Sequence, residues 1–208
     1  MKYASHRVLR VPRHAAARVL HRLACRRALV TLGLGSIILT SVIASGIRVN
    51  LSASAPRGLY RAVSAAPVRG TWVAACVSAD AAALGRARGY LGPGPCAGGA
   101  EPVLKPIVAV SGDVVELGPQ AVVVNGDSLP GSASASLDRS GRPLPHAIWG
   151  RHVVAADEVW LISTGVPNSW DSRYLGPFSI SQVRAVARPV WTLDSIRPGH
   201  TEPQSPPR

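Results

Sequence analysis

The sequence predicts a mainly β domain carried behind one N-terminal transmembrane helix. Three observations lead there. The 208 residues include Gly 20 and Pro 18, a load that disfavours a helical bundle. Short runs of β-branched residues separated by turn dipeptides recur through the second half of the chain. One uncharged run, ALVTLGLGSIILTSVIASGI, occupies residues 28–47. A hydrophobic fraction of 47% excludes a disordered chain.

The apolar run comes first. At about 1.5 Å per residue, 20 helical residues cross a hydrocarbon core of roughly 30 Å. Arg22, Arg26 and Arg27 flank its N-terminal side, so by the positive-inside rule residues 1–27 form a basic cytoplasmic tail and the body lies in the periplasm. The expected arrangement is a single pass through a bacterial inner membrane. A cleavable signal sequence is the rival reading, with Ala44, Ser45 and Gly46 able to host cleavage. The charge supports the division. The eight basic residues before Arg48 have no acidic counterpart, whereas from Arg48 onward 15 basic residues face 11 acidic ones. The formal net charge of +12 is therefore largely an N-terminal feature, and no nucleic-acid partner is expected.

The exported body spans residues 48–193. Within it Thr71–Val77 reads as a strand and Ala79–Leu91 as a short helix ended by a Gly/Pro loop. Val103–Val110 is a β-rich run interrupted by Pro106. Val114–Leu117 and Ala121–Val124 form strands bounded by the turn signals Gly118-Pro119 and Asn125-Gly126. Gly131–Pro145 is a loop, His152–Thr164 a strand pair around Asp157, and Ile180–Thr192 a final strand. Residues 194–208 read as a flexible tail. Cys76 and Cys96 lie in the body, where disulfides persist; one bridge or two buried thiols are both open from the residues alone. The six histidines show no ligand spacing, so no metal and no cofactor is expected.

Three segments carry chemistry. The chain has only two lysines, Lys2 and Lys105, and Lys105 sits among Val103, Leu104, Ile107 and Val108. A desolvated lysine loses its proton readily, which Arg does not, and a neutral lysine is a base; a snorkelling edge lysine is the plainer alternative. NLSASAPRGLY, residues 50–60, offers Ser54 ahead of a Pro and a Gly, or else is a Ser-rich linker. PNSWDSRYLGP, residues 167–177, sets Ser169, Asp171 and Arg173 beside Trp170 and Tyr174; it reads as a rigid functional loop or as a surface turn with an ion pair.

Together these segments resemble the signal peptidase I superfamily, serine peptidases of family S26, and within it the conjugative-transfer peptidases of the TraF type. The matching patterns are Ser54-Ala55-Pro56-Arg57-Gly58-Leu59-Tyr60, then Lys105-Pro106-Ile107-Val108-Ala109-Val110-Ser111-Gly112-Asp113, then Asp171-Ser172-Arg173-Tyr174-Leu175-Gly176-Pro177. The resemblance implies a signal-peptidase-like β domain and a Ser–Lys dyad, Ser54 as nucleophile and Lys105 as general base. It implies cleavage of a membrane-tethered preprotein or prepilin through an acyl-enzyme, resolved by water or by the substrate's own amine. Ser52 becomes an expected oxyanion donor, facing the same side as Ser54 if both lie on a strand, alongside backbone N–H groups near Ser54. Ser169 is expected to orient the Lys105 amine, and Asp171 and Arg173 to hold the loop. The stretch Arg88–Gly99 also resembles the TraF-type branch, which favours a Cys76–Cys96 bridge. Two departures, Ala55 where housekeeping enzymes carry Met and Ser163–Asn168 in place of a Gly-Asp-Asn-Arg-Asp-Asn run, point to a specialised substrate. A housekeeping signal peptidase and a non-catalytic scaffold of a secretion channel are the competing readings.

Overall fold

The computed structural model describes residues 23, 26–36, 40–41 and 46–193. The chain divides into two compact units, Met1–Ser45 and Gly46–Arg208. In the first, residues 26–36 and 40–41 are helical. Among the described residues no helix is long and apolar enough to cross a membrane. The rest of the expected span, most of the basic tail and the C-terminal tail lie outside the described residues.

The second unit is mainly β. A seven-stranded sheet runs in the order β1 (Ile47–Asn50), β2 (Gly58–Val63), β11 (Val183–Thr192), β3 (Trp72–Ala75), β4 (Val103–Val110), β9 (Glu158–Leu161), β10 (Phe178–Ser179). A four-stranded sheet runs β7 (Asp127–Ser128), β6 (Val122–Val124), β5 (Val114–Leu117), β8 (Gly150–Val153). All the pairings are antiparallel. The Asn125-Gly126 signal is used as expected: both residues have positive φ, 54° and 89°, the conformation that turns β6 into β7 with the twist of the strands.

Two helices interrupt the sheets. α1 (Ala79–Ala87) is capped by Ser78, whose side chain accepts from Ala81 N–H, with Asp80 in its first turn. α2 (Ser172–Leu175) is a single turn capped by Asp171. The disulfide Cys76–Cys96, with Cα atoms 5.5 Å apart, ties the end of β3 to the loop beyond α1. The alternative of two free thiols falls.

Several sequence expectations need correction. Pro106 does not interrupt its strand. It lacks an N–H, but its carbonyl still accepts from Ile162 N–H at 3.3 Å, so the ladder to the neighbouring strand continues. The two strands around Asp157 do not pair with each other: β8 joins β5 and β9 joins β4, so residues 154–157 pass from one sheet to the other. The final strand begins at Val183, after a 3-10 turn over Ile180–Gln182. Strands β1 and β2 flank the Ser54 segment and were not anticipated, because a four-residue strand with two exposed positions carries almost no periodic signal.

The larger apolar core gathers Val73, Ala75, Ile107, Leu161, Trp170, Tyr174, Phe178 and Val186. The smaller lies against the second sheet, with Val115, Leu117, Val122, Trp160 and Ile162. β4 serves both, since Ile107 enters the first and Ala109 the second. A strand with that duty places its alternate residues inward, and Lys105 is one of them.

Candidate active site

In β4 the burial alternates strictly, with Val103, Lys105, Ile107 and Ala109 inward. Side chains of a strand alternate between faces, so the register that buries Ile107 also buries Lys105. It is only 4% exposed. The plainer snorkelling reading is excluded, because a snorkelling lysine keeps its ammonium in water. Lys105 Nζ instead meets Ser54 Oγ at 2.6 Å, across 51 residues of sequence. Burial pulls the Lys105 ammonium from the ordinary 10.5 down to about 8; the Asp171 carboxylate opposes this and the Arg173 guanidinium adds to it.

Ser54 arrives on a turn. Between β1 and β2 the chain reverses, and Asn50 organises the reversal from its first residue. Its Nδ2 donates to the carbonyls of Ser52, Ala55 and Pro56, each at 3.1 Å. Its Oδ1 accepts from Ser52 N–H at 3.2 Å. Tyr60 closes the far end, its hydroxyl donating to Pro56 O at 2.7 Å. Gly58 is required by packing: a Cβ there would sit 2.1 Å from the Trp191 carbonyl oxygen of β11. The Pro and the Gly of the motif thus fix how the turn re-enters the sheet.

Ser52 lies beside Ser54, but not by strand alternation. Both belong to the turn, and their hydroxyl oxygens are 2.8 Å apart. Ser54 N–H donates to Ser52 Oγ at 3.2 Å. The expected backbone donor for an oxyanion is therefore engaged by the Ser52 hydroxyl, which is the group that stands next to Ser54 Oγ.

The third segment is not a surface turn. Asp171 and Arg173 are both fully buried and paired at 2.8 Å. Arg173 also donates to the carbonyls of Ala133 at 2.7 Å, Ser163 at 3.0 Å and Val166 at 2.8 Å. Asp171 accepts from Ser163 N–H at 3.1 Å and from Arg173 Nε at 2.9 Å. A buried ion pair endures when its remaining hydrogen-bonding capacity is met, and here backbone groups of three separate segments meet it. Ser169 is buried, yet its Oγ has no hydrogen-bond partner among the described residues. The expected bond from Ser169 to the Lys105 amine is thus not among those formed.

Asp113, at the end of the lysine motif, holds the turn after β4. Burial opposes its ionisation, but Val110 N–H, the Asn125 amide and Arg69 keep its carboxyl below the usual range. Sequence reasoning missed Asn50 as the organiser of the Ser54 turn, although an Asn ahead of a loop can bond the backbone two residues on, the Asx turn it forms here with Ser52 N–H. Among the described residues no group of three or more His, Cys, Asp or Glu could hold a metal ion. The arrangement is a hydroxyl facing a buried amine whose pKa burial lowers to about 8, equipment suited to nucleophilic attack assisted by a general base.

The family model for signal peptidase, peptidase S26, matches residues 22–192. The chain is 37% identical over 182 residues to the plasmid transfer protein TraF of Escherichia coli, covering 85% of this chain and 99% of that protein. It is 39% identical over 150 residues to a probable conjugal transfer protein TraF of Sinorhizobium fredii, covering 71% and 78% of the two chains. It is 37% identical over 161 residues to the conjugal transfer protein TraF of Agrobacterium tumefaciens, covering 76% and 89%.

Proposed function

This chain belongs to the signal peptidase family, peptidase S26, and on that premise we propose that it is a serine endopeptidase with Ser54 as nucleophile and Lys105 as general base. Its substrate is a membrane-tethered preprotein of a conjugative transfer system. The observation that carries the reading is the 2.6 Å contact between Ser54 Oγ and a buried Lys105 Nζ. Ser54 Oγ attacks the scissile carbonyl carbon as its proton passes to neutral Lys105. The Ser52 hydroxyl donates to the developing oxyanion, a role supported by its position beside Ser54. The C–N bond then breaks, and the leaving amine takes its proton from Lys105. Water, or an amine of the substrate, then attacks the acyl carbon as Lys105 takes its proton; the bond from that carbon to Ser54 Oγ breaks, and Ser54 Oγ regains a proton from Lys105. The conjugative assignment draws on the names of the relatives.

We propose further that residues 28–47 anchor the chain in the inner membrane, with the catalytic unit in the periplasm. The uncharged sequence and its basic N-terminal flank support this. So does the sheet that follows. Val49, Leu59 and Trp191 lie side by side across β1, β2 and β11, and Val49 and Trp191 are exposed, as are the neighbouring Leu51 and Leu193. An apolar row beginning where the apolar run ends suits a domain that works against a bilayer.

The test is to incubate the full chain in detergent with a conjugative prepilin bearing an Ala-x-Ala-type site, and to measure intact product mass. Cleavage or cyclisation that is lost in Ser54→Ala supports the proposal. Processing that survives Ser54→Ala refutes it.

A further inference from the structure

The pairing of β4 with β9 carries a consequence for Ser163. The register is Ile107 opposite Leu161, set by a bulge between Ile107 and Ala109. The bond from Ile162 N–H to Pro106 O continues that register one step beyond β9. One step further, Lys105 falls opposite Ser163. Pro106 and Ile162 carry the ladder bond, so Lys105 and Ser163 form the flanking pair without one, the type in which Cα atoms come within about 4.5 Å and side chains on one face are nearest. Ser163 is 2% exposed, and its Oγ has no hydrogen-bond partner among the described residues.

Its backbone is held from both sides by the buried ion pair. Asp171 Oδ2 accepts from Ser163 N–H, and Arg173 donates to Ser163 O. A buried hydroxyl without a partner is costly, and a site so firmly fixed around one calls for an explanation. Lys105 supplies the complementary shortage. Its Nζ has a single hydrogen-bond partner among the described residues, Ser54 Oγ. A neutral amine has one lone pair and two N–H donors. To take the Ser54 proton the lone pair must point at Ser54, which leaves two N–H groups in a buried site. Two buried hydroxyls in the adjoining segments, Ser163 and Ser169, lack donors.

We propose that Ser163 is a positioning residue for the general base: although Ser54 Oγ is the one partner of the Lys105 amine among the described residues, a rotation of the two facing side chains lets Ser163 Oγ accept an N–H of Lys105 as the amine turns its lone pair onto Ser54. The inference rests on the reading of Lys105 as the base. It also gives the Asp171–Arg173 pair a defined task, to fix Ser163 opposite Lys105. The charged groups acting on Lys105 are Asp171 and Arg173, and neither is altered by a change at Ser163.

Two lysines in the chain make the test direct. Full-length protein in detergent, carrying lysine labelled with carbon-13 at Cε, gives two NMR signals, and Lys105 is the one absent from Lys105→Arg. Its pH titration is compared in Ser163→Thr and Ser163→Val, which share a shape and differ by the hydroxyl, with Ser163→Ala as a third variant. An ammonium loses a stronger bond than an amine does. In Ser163→Val and Ser163→Ala the Lys105 midpoint should therefore fall by roughly 0.5–1 pH unit. Their kcat should drop about tenfold or more with KM unchanged, while Ser163→Thr keeps the parent midpoint and most of kcat. Equal midpoints in the Thr and Val variants overturn the proposal, as does a change confined to KM. An Ala variant that is simply more stable and fully active overturns it too. The titration reads Lys105 without catalysis. Failure of the dyad shows instead as turnover that survives Lys105→Arg.

Discussion

The two halves of the site are built by opposite means. The nucleophile turn, residues 50–60, is held by hydrogen bonds spanning six residues or fewer, from Asn50 and Tyr60. Ser52 and Leu51 in it are exposed. Lys105 is held by distant chain. Lys105, Ser163, Ser169, Asp171 and Arg173 are all buried, and Arg173 alone joins residues 133, 163, 166 and 171. A local turn can be spoiled without unfolding the domain; a buried charge network cannot. The same division separates the chemical demands. On the proposed roles, a nucleophilic serine must reach a substrate in solvent, whereas a lysine base must be kept from water for its proton to become labile.

The largest effect should come from the group the two halves share. Lys105→Arg keeps the charge but has no accessible neutral form. Turnover should fall to background, roughly 10²–10⁴-fold or more, and the double variant with Ser54→Ala should be no worse than either single one, since the pair acts as a unit. In the parent, activity should rise with pH through about 8 as Lys105 loses its proton. Stability follows the same residue. Between about 8 and the ordinary lysine value of 10.5 the unfolded chain binds a proton the folded chain has released, so this residue makes folding more favourable as pH rises through that window. A kcat profile and a denaturation series over pH check the two signs, and a rate flat across pH 8 would separate Lys105 from the chemistry.

Next comes the network. Asp171→Asn leaves Arg173 buried without its counter-charge, a type of change that costs about 3–5 kcal/mol. Chemical denaturation should show the loss, and the surviving folded fraction should keep turnover that depends on Ser54. Ser169→Ala is the contrast on the same loop: an unpartnered hydroxyl leaves, so the fold should hold while kcat falls. Full activity in Ser169→Ala would remove it as an orienter of Lys105. Somewhat smaller is the disulfide. Changing Cys76 and Cys96 to Ala opens the loop they close and should cost about 3 kcal/mol by chain entropy. Its influence belongs to the buried side, because α1 packs on Trp170 through Gly85, where a Cβ would lie 3.3 Å from Trp170 Nε1. Non-reducing peptide mapping checks the bond, and urea midpoints check its contribution.

The contrast also explains what the sequence disclosed. Lys105 was legible because a lone lysine in an apolar run is a chemical anomaly, and Asp171 with Arg173 because the residue types announce an ion pair. Their complete burial was not legible, since it arises from Ala133, Ser163 and Val166 meeting Arg173 from elsewhere in the chain. Ser163 gave no signal for the same reason: its significance lies in a register fixed by a bulge 55 residues upstream. Ser52 was placed beside Ser54 for the wrong reason, strand alternation, when an Asx turn does it. The Cys76–Cys96 pairing rested on resemblance, and the fold brings the two together.

The smallest effect on the fold should be the most diagnostic of the comparison. Asn50→Ala removes three donations and one acceptance from the nucleophile turn, yet Asn50 is partly solvated and water can replace what is lost. Net hydrogen-bond contributions of about 1 kcal/mol apiece in buried sites shrink at such a position, so global stability should change by about 1 kcal/mol or less. The turn it organises carries Ser54 against a fixed amine at 2.6 Å, and a misplacement there acts on the reacting distance itself. We expect kcat to fall at least about tenfold while the urea midpoint barely moves, the reverse of Asp171→Asn. Asn50→Asp keeps the acceptor for Ser52 N–H and loses the three donations, so it separates the two functions of the side chain. If Asn50→Ala instead unfolds the protein as Asp171→Asn does, the turn is part of the buried framework and the division between a locally built nucleophile and a globally built base is lost.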